Sequence, residues 1–164
     1  GKPVDLLVWP ETMIPGLLNI DPELTGRKID VLSQLTPIQL SQDLNANLLL
    51  GGIALTLVGD AQIYFNSAYY YNPEGKLVDR YDKIHLFDVS VDTEDKESYK
   101  ESATILPGGS VVGCKTPLAN LGLSICYDLR FPELYRRMLG QGVEIILAPS
   151  AFTATTGTGV DVSC

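Results

Sequence analysis

The sequence predicts an α/β fold, and three observations predict it. Apolar runs at residues 5–9, 47–58 and 143–150 are short and nearly unbroken, as in strands covered on both faces. Helix-compatible segments lie between them. Aromatic and β-branched stretches flank tight-turn residues, the pattern of β-hairpins. At 164 residues the chain is one domain or part of one.

The elements follow in order. DLLVW (5–9) reads as a buried strand closed by Pro10, and residues 12–27, rich in proline and glycine, read as loop. TPIQLSQDLN (36–45) predicts a helix with Thr36 as N-cap and Pro37 in the first helical position. NLLLGGIALTLV (47–58) predicts a second buried strand. IYFNSAYYY (63–71), the turn NPEG (72–75) and KLVDRYDKIHLF (76–87) predict a hairpin. The three consecutive tyrosines are strand residues alternating between two packed faces. SVDTEDKESYKES (90–102) predicts a polar loop or short helix, ended by PGG (107–109). Residues 111–126 predict a second hairpin, turning near Leu118–Asn120 and stopping at Cys126. FPELYRRMLGQG (131–142) predicts a helix with Pro132 in its first turn and Gly140 or Gly142 at its end. VEIILAPS (143–150) predicts the last buried strand. Residues 151–164 show no period.

Composition excludes several functions. Lys+Arg 12 against Asp+Glu 20 leaves a net charge of −8, against a nucleic-acid partner and against an anionic membrane surface. The longest apolar stretch, residues 48–59, is far short of the ~20 residues a membrane helix needs. With His85 as its one histidine, the chain cannot build a multi-histidine metal site, and no cofactor is implied. Cys114, Cys126 and Cys164 lack a CxxC spacing, and their odd number fits a reducing, cytoplasmic setting.

Three residues at element ends could carry chemistry. Cys126 follows LGLSI at a strand-to-turn junction, where a nucleophile is lifted off the sheet and the next backbone N–H groups can face an oxyanion. Glu11 follows the first strand, at the carboxyl end where ligands gather in open α/β sheets. Lys83 ends the first hairpin. Each has an ordinary reading: a buried thiol, a solvated glutamate, a lysine paired with Asp82 or Asp88. Together they make a coherent site. A carboxylate beside a thiol opposes ionisation, so Glu11 suits a general base. A lysine offsets that repulsion, with a unit charge at ~4 Å worth about 4 kcal/mol at an effective dielectric of ~20.

The stretches DLLVWPET, GKLVDRYDKIHLFD, KESATILPGG and LGLSICYDLRFPELYRRMLGQGVEIILAPSAFTATTG resemble the nitrilase, or carbon–nitrogen hydrolase, superfamily. CYDLRFPE is most similar to the omega-amidase and deaminated-glutathione amidase branch. The resemblance implies a four-layer α-β-β-α sandwich, a small amide substrate, subunit pairing and a Glu–Lys–Cys triad. Carried over, Glu11 is the base, Lys83 the electrostatic stabiliser, Cys126 the nucleophile, and Glu101 a second glutamate that orients lysine and substrate. Tyr127 and Asp128 offer backbone N–H groups to an oxyanion. Arg130 suits a substrate carboxylate, or a salt bridge to Asp128 or Glu133. Ala151, Phe152 and Thr153 would line the pocket. His85 reads as a packing residue, and Cys114 and Cys164 as bystanders.

The resemblance also implies a partial domain over residues 1–164, with residues 158–164 off the family pattern. A family strand and helix are expected before the WPE strand, and a truncation or frame shift is expected near Gly157. Two rivals to amide hydrolysis stay open: acyl transfer of the apolipoprotein N-acyltransferase type with the same triad, and a catalytically inactive piece. The WPETMIP and NSAYYYNPEGKLVDRYDK stretches also resemble that acyltransferase branch.

Overall fold

The computed structural model describes residues 3–12, 17–18, 31–90 and 98–151. The strands are β1 (Leu6–Val8), β2 (Leu17–Leu18), β3 (Asn47–Val58), β4 (Ala61–Tyr71), β5 (Leu77–Asp82), β6 (Asp88–Ser90), β7 (Ser98–Lys100), β8 (Val112–Lys115), β9 (Asn120–Leu123) and β10 (Ile145–Leu147). The helices are α1 (Val31–Leu44) and α2 (Pro132–Gly140), with 3₁₀ turns at Glu101–Ala103 and Cys126–Arg130. One sheet runs β1-β3-β4-β5, with β2 also paired to β3. A second runs β10-β9-β8, and β6 and β7 form a separate ladder.

Period-two alternation builds the layers. On β3 and β4, Leu49, Ala68 and Tyr70 face one way and pack with Cys114, Leu121 and Leu123 of the second sheet and with Ile125 just past β9. Leu48, Leu50, Tyr69 and Tyr71 face the other way, packed with Ile38 and Leu40 of α1. The tyrosine triplet is thus split between two cores, as its alternation predicts. On the outer side of the second sheet, Leu134 and Met138 of α2 pack with Val143. The layers run helix, sheet, sheet, helix.

Several expectations are corrected. α1 starts at Val31, so Pro37 lies inside the helix rather than at its first position. Proline there removes one i→i−4 bond, and Ile38 and Leu40, which pack on the sheet, hold that turn in place. β3 and β4 form a long antiparallel hairpin through Gly59 and Asp60, with Gly59 at φ 60°, a second turn the sequence reading passed over. The strand after the Asn72–Gly75 turn stops at Asp82 instead of reaching Phe87, and residues 88–90 and 98–100 pair as a ladder. β10 is not buried on both faces: Ile145 and Ile146 are 49% and 41% exposed, because β10 is a sheet edge that no described element covers. The loop over 12–27 also carries β2.

Candidate active site

The site lies at one end of the space between the two sheets. Ala68 and Tyr70 face the second sheet, so Asn66, two residues earlier on β4, faces it too. By the same count on β5, Tyr81 places Lys83 on that side. The Lys83 N–H donates to the Asn66 carbonyl at 2.8 Å, continuing the ladder one step past β5. Lys83 is 2% exposed and Asn66 3% exposed.

Glu11 enters from the turn after β1. The Trp9 N–H donates to the Leu49 carbonyl at 2.8 Å and pins the end of β1 to β3. Gly51 on β3 makes the turn possible. A Cβ there would sit 2.9 Å from the Thr12 nitrogen and 3.0 Å from Glu11 Cα. Thr12 holds φ 50°, a conformation a β-branched residue rarely adopts. Glu101 opens the 3₁₀ turn after β7, and its segment is held by Leu106 N–H on the Tyr64 carbonyl at 2.8 Å. Gly108 N–H donates to the Lys83 carbonyl at 2.8 Å, and any Cβ at Gly108 would collide with the Asp82 backbone.

These elements bring four polar side chains into one ring. Lys83 Nζ donates to Glu11 Oε1 and to Glu101 Oε2, both at 2.9 Å. Asn66 Nδ2 donates to Glu11 Oε1 and to Glu101 Oε1, both at 2.8 Å. Phe87 N–H adds a bond to Glu101 Oε2 at 2.8 Å, and Ala151 N–H reaches Glu11 Oε2 at 3.3 Å. Burial alone would lower the Lys83 pKa. The hydrogen bonds and charges of Glu11 and Glu101 outweigh it and raise the pKa above the ordinary lysine value. The ammonium is therefore kept charged.

Cys126 faces this ring from the second sheet. Leu121, Leu123 and Ile125 point into the inter-sheet core, and at Cys126 the chain turns off with φ 44°. Left-handed backbone at a non-glycine residue is strained and marks functional turns. Cys126 N–H donates to the Pro149 carbonyl at 3.1 Å and Ser124 N–H to the Leu147 carbonyl at 3.0 Å, clamping the turn onto the end of β10 and the segment after it. Burial, the Glu11 charge and a hydrogen bond to Glu11 push the thiol pKa up, while the Ala151 N–H and Lys83 pull it down. The resting group is a thiol held against a carboxylate.

Asp128 takes a different place from the one expected. Its N–H donates to the Ile125 carbonyl at 3.0 Å and so is unavailable to an oxyanion, leaving Tyr127 as the candidate donor. Its fully buried carboxylate accepts from Tyr81 Oη at 2.7 Å, Ile125 N–H at 3.0 Å and His85 N–H at 3.0 Å. His85 Nδ1 lies 2.7 Å from the same carboxylate, which assigns its ring proton to Nδ1. The ring stacks on Phe131 at 3.7 Å. His85 is a packing residue, as expected, and Asp128 ties it to the Cys126 turn. Arg130 is exposed, with its guanidinium 5.9 Å from the Tyr127 ring centre. Neither salt bridge expected of it forms among the described residues: Asp128 is engaged elsewhere and Glu133 pairs with Arg136 at 2.8 Å. Phe152, Thr153 and Cys164 lie outside the described residues. The sequence reading missed Asn66, a poor strand former at a buried strand position, which is the signal that marks it.

The sequence matches the carbon–nitrogen hydrolase family over residues 1–162. The chain belongs to that family. A deaminated glutathione amidase of Synechocystis sp. is 40% identical over 143 residues, 80% of this chain and 52% of the relative. The omega-amidase NIT2 of Homo sapiens is 41% identical over 98 residues, 60% of this chain and 35% of the relative. The crystal structure of Saccharomyces cerevisiae Nit3, a nitrilase-superfamily member, aligns with a TM-score of 0.71 at 26% identity, covering 94% of this chain and 54% of that one. The fold is that of the nitrilase superfamily, and the match spans between about a third and about half of the length of these relatives. Among the described residues no helix is long and apolar enough to cross a membrane.

Proposed function

We propose that this chain carries the catalytic groups of a thiol amidase, converting a small amide to a carboxylate and ammonia. The observation that carries the reading is the convergence of Glu11, Lys83 and Glu101 in one buried cluster against the Cys126 thiol. The amidase relatives support it.

Glu11 takes the thiol proton as the sulfur attacks the amide carbon. The carbonyl oxygen becomes an oxyanion. An ammonium has three donors, and Lys83 spends two on Glu11 and Glu101, so its third serves the oxyanion together with the Tyr127 N–H. The tetrahedral intermediate collapses, the C–N bond breaks, and Glu11 returns the proton to the leaving nitrogen. Ammonia departs and a Cys126 thioester remains. Water, deprotonated by Glu11, attacks the thioester, and the carboxylate leaves as the thiol is restored. Glu101 holds Lys83 in place. Arg130, exposed beside Tyr127, is the candidate partner for a second carboxylate on an omega-amide.

The test is ammonia release from a panel of omega-amides, with Cys126→Ala alongside. Release that disappears in the variant supports the reading; release equal in both contradicts it.

A further inference from the structure

The mechanism leaves one buried polar side chain of the site without a role. Two carboxylates share the pocket with one ammonium, and when all three are ionised the cluster carries one excess negative charge. Two carboxylates in a shared buried site ordinarily resolve this by one of them keeping a proton. Here a neutral group with two N–H donors lies between them. Asn66 Nδ2 donates to Glu11 Oε1 and Glu101 Oε1 at 2.8 Å each, while Oδ1 has no hydrogen-bond partner among the described residues. The amide can adopt no other orientation, since a flip would set its oxygen against two carboxylates.

We propose that Asn66 is a positioning residue that holds Glu11 and Glu101 aligned about the single Lys83, so that Glu11 is placed to act as the base. Serine would offer one donor where two are used. Aspartate would add a third carboxylate, and leucine, with the same branching but more bulk, would remove both donors. The groups facing the pair are Lys83 past β5, Cys126 past β9 and the two glutamates themselves. Across β5, Asp82 is held by Ser67 and Arg80 at 2.6 Å each.

Without Asn66, Glu11 loses one of the donors that hold it and its carboxylate moves off the Cys126 thiol. The Glu11 charge and hydrogen bond that hold the thiol pKa up then weaken, and the thiol ionises more easily. Out of line with the sulfur, Glu11 takes its proton less readily, so turnover falls.

For turnover the inference rests on the amidase reading; for thiol ionisation it does not. The experiment therefore measures both in the wild type, Asn66→Leu and Asn66→Ser. Iodoacetamide alkylation of Cys126, read by peptide mass, is followed against pH, and ammonia release is followed against substrate concentration. In Asn66→Leu the alkylation midpoint falls by about one pH unit. Its kcat falls by about tenfold or more with KM within about threefold. Asn66→Ser shifts the midpoint in the same direction by less, and carries the test alone if the leucine variant loses cooperative unfolding. An unmoved midpoint in a folded variant overturns the proposal, as does a raised KM with kcat unchanged, which would put Asn66 on the substrate. No ammonia release from the wild type, together with a shifted midpoint in Asn66→Leu, sinks the amidase reading and leaves the role of Asn66 intact. Normal release with an unmoved midpoint does the reverse.

Discussion

Two clusters of buried carboxylates lie within the same inter-sheet layer, and they are built to opposite ends. Asp128 accepts four hydrogen bonds, two of them from His85, and its own N–H is used. Every one of these partners belongs to the protein, so the group is fully occupied and serves geometry: it ties the segment after Lys83 to the turn that carries Cys126. Glu11 shares its lysine and its asparagine with Glu101 and also faces a thiol. In the proposed mechanism it is the carboxylate that takes the thiol proton. A satisfied buried acid holds a site together, while an acid in competition for donors does its chemistry.

Substitutions break or sharpen this contrast. The largest effect is expected from Lys83→Ala, which leaves two buried carboxylates without a cation and the oxyanion without its charge. Ammonia release should drop by about 10³-fold or more. Asp128→Ala should act mainly on stability, by about 3–5 kcal/mol in denaturant unfolding, because Tyr81, His85 and Ile125 lose their acceptor. If Asp128→Ala instead left stability unchanged and removed only activity, the two clusters would not differ as described.

Gly51→Ala forces the Glu11 turn away from β3. We expect about 1–3 kcal/mol of destabilisation, and turnover lower by up to about 100-fold from a displacement near 1 Å. Thermal unfolding and kinetics together separate the two. The smallest effect concerns a thiol outside both clusters. Burial, with a contribution from the Asp79 charge, pushes Cys114 up to about 11 from 9.0. A raised thiol pKa means the folded state holds the proton more tightly. The stabilisation is complete below about pH 9 and is lost as pH rises through about 11. Cys114→Ala should flatten the decline of unfolding free energy across that window without altering the pH profile of Cys126 alkylation.

What could be read from the sequence follows the range of the interactions. β3, β4 and α2 declare themselves by local pattern, and α2 begins at Pro132 as expected. Cys126 falls at a strand-to-turn junction that five preceding residues make visible. Pro37 misled because its preference for a first helical turn is local, whereas its place inside α1 is held by packing of Ile38 and Leu40 on the sheet. The apolar character of β10 says that Ile145 and Ile146 favour burial, but an edge position decides what covers them. The roles of Asn66 and Asp128 rest largely on distant partners. The partners of Asn66 lie 55 and 35 residues away, and the His85 partner of Asp128 lies 43 residues away. Asp128 follows the nucleophile and so looks like an oxyanion donor, until the Ile125 carbonyl is found to hold its N–H.

The central claim is that Cys126 forms a covalent acyl intermediate under the control of Glu11 and Lys83. Acid-quenched mass spectrometry during turnover of an omega-amide tests it most directly. The account predicts a Cys126 adduct of the substrate mass less ammonia, absent from Lys83→Ala and from Cys126→Ala. Ammonia release without any adduct on Cys126, persisting in Cys126→Ala, would contradict it.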